Sequence, residues 1–200
     1  MDTMTTKERI LESALFLFAE KGYEGVGVDQ IAEKAGLRGP SLYNHFKGKE
    51  DIFNSLVDTM TEYYEKNFVS SKEMEKVMPS SLQELVTMSM QKIAFTVHDT
   101  KIQAFRRMLT MEQYRNDTMR AMTTQYHLSI LLDLYTGIMK ALIDQKVLKK
   151  LDPRILAFEF TMPVSMMIHW IDREPDKEHE AMKWIEEHMK HFAQEYAFES

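Results

Sequence analysis

Two hundred residues, 44% of them hydrophobic and 28% charged, are enough to bury a sizeable core beneath an ordinary soluble surface. The absence of cysteine excludes a disulfide scaffold, a thiolate metal site and a cysteine nucleophile. A net charge of −6 argues against a general nucleic-acid scavenger, which would be basic throughout. The charge is uneven, however: Lys34 to Lys49 holds Lys34, Arg38, Lys47 and Lys49 and no acid. Positive charge confined to one patch of an acidic chain suits contact with duplex DNA through one small face. The N-terminus has no apolar run of signal-peptide length, and the longest apolar stretch, Met162 to Ile171, is far short of the roughly 20 residues a spanning helix needs. The expected location is cytoplasmic, with no membrane partner.

Six of the seven glycines lie in the first 48 residues, so short helices with tight turns come first and long helices after. Thr5 and Glu8 have capping-box spacing, which predicts a first helix from Thr6 to Lys21, stopped by Gly22 and burying Ile10, Ala14, Leu17 and Phe18. Val28, Ile31 and Ala32 mark one face of a second helix that Gly36 ends. Pro40 opens a third, to Phe46, that buries Leu42 and Phe46 and turns Ser41, Tyr43, Asn44 and His45 outward. Donors and a planar ring on one surface suit base edges and phosphates. Ser41 and Asn44, with Arg38 in the turn, are the candidates for base edges; Tyr43, His45, Lys47 and Lys49 are the candidates for phosphates.

Residues 10–53, ILESALFLFAEKGYEGVGVDQIAEKAGLRGPSLYNHFKGKEDIF, resemble the N-terminal DNA-binding domain of the TetR family of bacterial and archaeal transcriptional regulators. Ala14, Phe18, Gly22, Tyr23, Ile31, Ala32, Gly36, Leu42, Tyr43, Phe46 and the Lys49-Glu50 step stand in the family's order. In that family the residues matching Tyr43 and Lys49 touch the DNA backbone. Two positions depart from the pattern: Gly27 stands where Ser or Thr caps the second helix, and Phe16 where a polar residue is usual.

The fourth helix is expected from Lys49 to about Phe68, with Phe53, Leu56, Val57, Met60 and Tyr64 on one face, and Ser70 to Pro79 as a loop. Ser81 and Glu84 form a second capping box for a helix to His98 that buries Leu82, Leu85, Val86, Ile93 and Val97. Lys101 to Tyr114 follows, then, after Asn116-Asp117, two helices or one bent helix to about Val147. Asp152-Pro153 caps a helix that Pro163 should kink or split near Phe160, and a last helix covers about Lys177 to Ala197. With no alternating strand pattern, the chain reads as all-α: a three-helix DNA-binding domain at 1–48, then a helical effector-binding and dimerisation domain at 49–200.

No phosphate loop, nucleophile elbow or His-Glu-x-x-His motif is present, so neither an enzyme nor a cofactor is expected. His188 and His191, with His179 and Glu187 nearby, have spacing that permits metal ligation, but no matching cluster lies elsewhere and no metal site is assigned. Seventeen methionines are many for this length, and each could be simple core filler. The resemblance implies a repressor released from double-stranded operator DNA by a small hydrophobic effector, held among Met60, Tyr64, Met90, Phe105, Met108, Met122, Tyr126 and Met139. Control by a protein partner, or an enzyme with a vestigial helix-turn-helix, are the alternatives. Two copies are needed to read a useful length of DNA, and Trp170, Trp184, Ile185, Met189 and Phe192 are the candidates for pairing them in a four-helix bundle.

Overall fold

The structure is a computed structural model that describes residues 4–68 and 78–199. It divides into two compact units, one drawn from residues 1–70 and 100–120, the other from 71–99 and 121–200. Among the described residues there is no strand, apart from an isolated bridge between Leu148 and Ala197.

In the first unit, α1 spans Thr6–Lys21, α2 Val28–Lys34, α3 Gly39–Leu42 and α4 Lys49–Phe68. The start of α1 is the expected capping box: Thr5 Oγ1 accepts from Glu8 N at 3.2 Å while the Glu8 carboxylate accepts from Thr5 N at 2.7 Å. These bonds from the Thr5 backbone and hydroxyl hold the Glu8 carboxyl below its ordinary value. The expected stripe Ile10, Ala14, Leu17 and Phe18 is buried, and so are Leu11, Leu15 and Ala19 around the rest of the helix. The reason lies far along the chain. A helix at Thr100–Glu112, hereafter α6, packs on α1 within the same unit. The compact unit is therefore larger than the segment 1–48, because three short helices leave too much of α1 uncovered and both α4 and α6 complete its core.

In the second unit, α5 (Leu82–His98) is capped by Ser81 Oγ, and the Glu84 carboxylate reaches back to Ser80 N at 2.7 Å rather than to Ser81. The chain crosses between units within α7 (Asp117–Thr124), which Asn116 Oδ1 opens by accepting from Met119 N. A π-turn at Gln125–Ser129 joins it to α8 (Ile130–Asp144), so the long segment is one path with a bulge rather than two separate helices. That path stops at Asp144, short of the expected Val147. Lys146 takes a left-handed φ of 57°, with Lys146 N bonded to Ile143 O and Val147 N to Leu142 O, a helix stop usually made by glycine. Asp152 caps α9 (Pro153–Arg173) as expected. Pro163 does not split it: the helix is continuous, with Phe160 and Val164 buried while Pro163 itself is exposed, so the carbonyl it leaves unpaired is not sealed from water. A short turn at Pro175–Lys177 precedes α10 (Glu178–Glu195). The loop expected over Ser70 to Pro79 lies, except for Met78 and Pro79, outside the described residues.

The core of this unit gathers Leu85, Val97, Met139, Leu142, Phe160, Ile185 and Phe192. Phe160 stacks obliquely against Tyr135 and edge-on to Phe192. The Tyr135 and Ser89 hydroxyls bond to each other at 2.9 Å. Burial pushes the Tyr135 phenol above its ordinary value, and the Ser89 bond opposes that shift. An unfolded chain releases this proton near pH 10 and the folded one only above it, so stability falls as pH rises through that range. Tyr135→Phe is expected to cost about 1 kcal/mol at neutral pH. It should also flatten the alkaline decline, which urea unfolding at neutral pH and near pH 10.5 would show.

Candidate nucleic-acid interface

The turn between α2 and α3 is built by Gly36, whose φ of 71° lets Leu37 N return to Ala32 O at 2.8 Å. At Gly39 a Cβ would lie 3.1 Å from an Asp29 carboxylate oxygen, so a larger residue there would make that side chain give way slightly. The α-helix of α3 covers only Gly39–Leu42, shorter than expected to Phe46. After it the backbone tightens, with Asn44 N bonded to Ser41 O and His45 N to Leu42 O, before Phe46 N closes a full turn on Leu42 O. Leu42 and Phe46 are buried as expected, and their burial turns Tyr43 (57% exposed), Asn44 and His45 outward. Arg38 and Lys47 are exposed, and Ser41 is half-buried.

Lys49 is placed differently from its neighbours. Half-buried at the start of α4, it donates to the Tyr23 carbonyl at 3.0 Å, and its ammonium sits 4.2 Å from the centre of the Tyr23 ring. It is thus a strut to the α1–α2 turn, with the remaining donors of its ammonium free for a phosphate. Tyr23 in turn packs on Phe18 and Phe53, and its backbone N–H donates to the Glu112 carboxylate of α6 at 2.9 Å. Lys7, outside the expected set, stands 5.5 Å over the Phe46 ring beside α3 and adds positive charge there. Its place in the first turn of α1 was the available signal. The two departures noted above also find physical partners. Phe16 lies under Lys34, whose Nζ is 5.8 Å from the ring centre. Gly27 N is capped from the other side, by Gln30 Oε1 at 2.9 Å.

The residues expected to hold an effector divide between the two units. Met60, Phe105 and Met108 are buried in the first, where Tyr64 is half-buried; Met122, Tyr126 and Met139 are buried in the second, where Met90 packs on the core. Of the residues expected at a dimer interface, Ile185, Met189 and Phe192 are sealed in the core of their own unit, Ile185 with no exposed surface. They pack among core residues of α5, α8 and α9. Trp184, 59% exposed, and the half-buried Trp170 do reach the surface. The exposed apolar side chains of α9, namely Ile155, Phe158 and Met166, are the ones sequence periodicity passed over. His179 and Glu187 are exposed, and among the described residues no three His, Asp or Glu side chains converge as a metal site would require. No helix among the described residues is long and apolar enough to cross a membrane.

Residues 10–56 match the family described as bacterial regulatory proteins, tetR family. Over 155 residues the chain is 30% identical to the HTH-type transcriptional regulator SrpR of Pseudomonas putida, a match covering 69% of this chain and 71% of SrpR. It is 36% identical over 58 residues to IcaR, the HTH-type negative transcriptional regulator of the biofilm operon icaADBC in Staphylococcus epidermidis. That match covers 29% of this chain and 31% of IcaR, so it spans about a third of that relative's length. The structure is similar to that of SmeT, the repressor of the Stenotrophomonas maltophilia multidrug efflux pump SmeDEF, with a TM-score of 0.67 and 19% identity over 98% of this chain and 93% of SmeT. At that identity the likeness is one of fold.

Proposed function

The chain belongs to the TetR family of transcriptional regulators, and from that premise we propose that it is a repressor that occupies operator DNA as a dimer and leaves it when a small hydrophobic effector binds its helical part. The observation that carries the DNA-binding role is the outward set Arg38, Tyr43, Asn44, His45 and Lys47, held on a turn whose underside is the buried pair Leu42 and Phe46. Arg38, Ser41 and Asn44 read bases, while Tyr43, His45, Lys47 and Lys49 set register on phosphates.

The effector reading is supported by the π-turn at Gln125–Ser129, which interrupts the helical ladder beside Met122 and contains Tyr126. Such bulges are often found at functional sites. α6 offers a route for the signal. It shares a compact unit with the DNA-binding helices, yet the chain on both sides of it, α5 before and α8 after, lies in the other unit. A ligand that shifts either neighbour pulls on α6, and α6 holds the α1–α2 turn through Glu112 and Tyr23.

The ligand need only favour the arrangement that does not bind DNA, and a coupling of about 1–3 kcal/mol would reduce operator affinity several-fold to a hundred-fold. Operator DNA must then weaken ligand binding by the same factor. Calorimetry of a neutral, planar hydrophobic compound, with and without an inverted repeat taken from the DNA flanking the coding sequence, tests this. Equal affinities in the two titrations would mean that the compound is no effector, however tightly it binds.

A further inference from the structure

Resting on the DNA-binding reading above, we propose that Lys7 holds a phosphate of the operator next to the one held by Lys47, so that α1 as well as α3 and α4 touches the duplex. Lys7 stands in the first turn of α1, and its Nζ lies 5.5 Å from the centre of the Phe46 ring, within the range at which an aromatic face attracts an ammonium. Phe46 is the buried residue that closes the turn after α3, and Lys47 follows it in the chain. One ring therefore gathers lysines from two separate elements at the same edge of the recognition surface, beside the exposed His45.

Both lysines are exposed, and among the described residues neither ammonium makes an ion pair. The acids beside them are engaged elsewhere. The Glu8 carboxylate is turned back onto Thr5, accepting from its N–H at 2.7 Å and from its hydroxyl at 2.8 Å. Asp51 accepts from the Lys47 backbone N–H at 2.8 Å. Each ammonium thus keeps its donors for a phosphate oxygen, a charge-assisted bond of the stronger kind.

The helix that carries Lys7 is also held in place. Lys101 at the start of α6 pairs with Glu12 at 2.9 Å, and Glu112 at its end holds the Tyr23 N–H at 2.9 Å. These links have the same spacing along both segments, so α1 and α6 lie side by side and parallel, and α1 does not swing independently. With the stem fixed by α6 and the ammonium by the Phe46 ring, little ordering remains for DNA to impose on Lys7. Duplex DNA suits this edge better than a free anion or an acidic protein, because the edge continues the surface of Tyr43, His45 and Lys47. Phosphates follow one another along a strand at about 3.4 Å of helix axis, so a strand held at Lys47 brings the next phosphates past Lys7.

The test is the salt dependence of binding by the full chain, followed by fluorescence anisotropy. The probes are the inverted repeat from the DNA flanking the coding sequence and a scrambled duplex of the same length. Lys7→Gln should lower the slope of log K against log salt by roughly one on both duplexes. Lys7→Arg, which keeps the charge and can stack on the Phe46 ring, should restore the wild-type slope. Lys21→Gln, exposed at the opposite end of the same helix, should leave the slope unchanged. A neutral methylphosphonate moved along the strand should weaken wild-type binding several-fold at one position where Lys7→Gln is indifferent to it. A Lys7→Gln slope equal to that of the wild type overturns the proposal. So does an equal fall in Lys21→Gln, which would report bulk charge rather than a contact. A wild type that prefers neither duplex and is unaffected by Tyr43→Ala overturns instead the reading that α3 meets the DNA, whatever Lys7 does.

Discussion

Replacing Glu112 by alanine is expected to destabilise the N-terminal compact unit by about 2–3 kcal/mol, close to the upper end for a hydrogen bond to a charged group. The side chain is buried at the end of α6, and its carboxylate is the acceptor for the Tyr23 N–H, immediately after the left-handed Gly22 that ends α1. The truncated residue would leave that N–H without an acceptor and open a void beside Gly22, where a Cβ would already stand 3.0 Å from Glu112 Oε1. Tyr23 is also the residue on which Lys49 rests, so the start of α4 would loosen together with the α1–α2 turn. Glu112→Gln keeps an oxygen acceptor and should lose less than about 1 kcal/mol. Operator affinity should follow stability in this pair, because the turn positions the helices that carry α3. Urea unfolding and fluorescence anisotropy on the same preparations would decide. An alanine variant as stable as the wild type would mean that Glu112 is not the link between α6 and the DNA-binding helices.

The sequence makes mostly the punctuation of the fold legible. The Thr5/Glu8 box, the Asp152-Pro153 start and the two glycine stops at Gly22 and Gly36 act within a few residues, and each appears in the structure where local chemistry put it. Contacts between distant segments were less legible. The bond between Tyr23 and Glu112 joins residues 89 apart, and nothing local to either residue announces the other. The same holds for α10. Ile185, Met189 and Phe192 lie on one apolar face, as their spacing predicts, but periodicity tells only that a face is covered, and here the unit's own α5, α8 and α9 pack against it. Lys146 escaped for the opposite reason: a left-handed lysine carries no compositional mark, so the end of α8 was set too late. At the DNA-binding surface the residue types and the charge were legible, whereas the second duty of Lys49 depended on where Tyr23 would turn its carbonyl.

The DNA contacts can be separated by substitution, and the structure sharpens what each change should do. Tyr43 and Lys47 are exposed, and among the described residues their side chains make no hydrogen bond or ion pair, so Tyr43→Ala and Lys47→Ala should leave thermal stability unchanged while weakening binding to every sequence. For Lys47→Ala the salt dependence, as the slope of log K against log salt, should fall by roughly one. Asn44→Ala should instead preserve that slope and relax preference at one base pair by about 1–3 kcal/mol. Lys49→Ala should behave as both kinds of change at once, since it would remove the proposed phosphate contact and also the bond to the Tyr23 carbonyl. Its operator affinity should fall with the salt slope, and its melting temperature should fall too, which separates it from Lys47→Ala. Mobility-shift titrations at two salt concentrations, on the operator and on a scrambled duplex, together with thermal melts of each variant, give all of these readings. Unchanged operator affinity in Tyr43→Ala, Asn44→Ala and Lys49→Ala alike would show that α3 is not the element that meets the DNA.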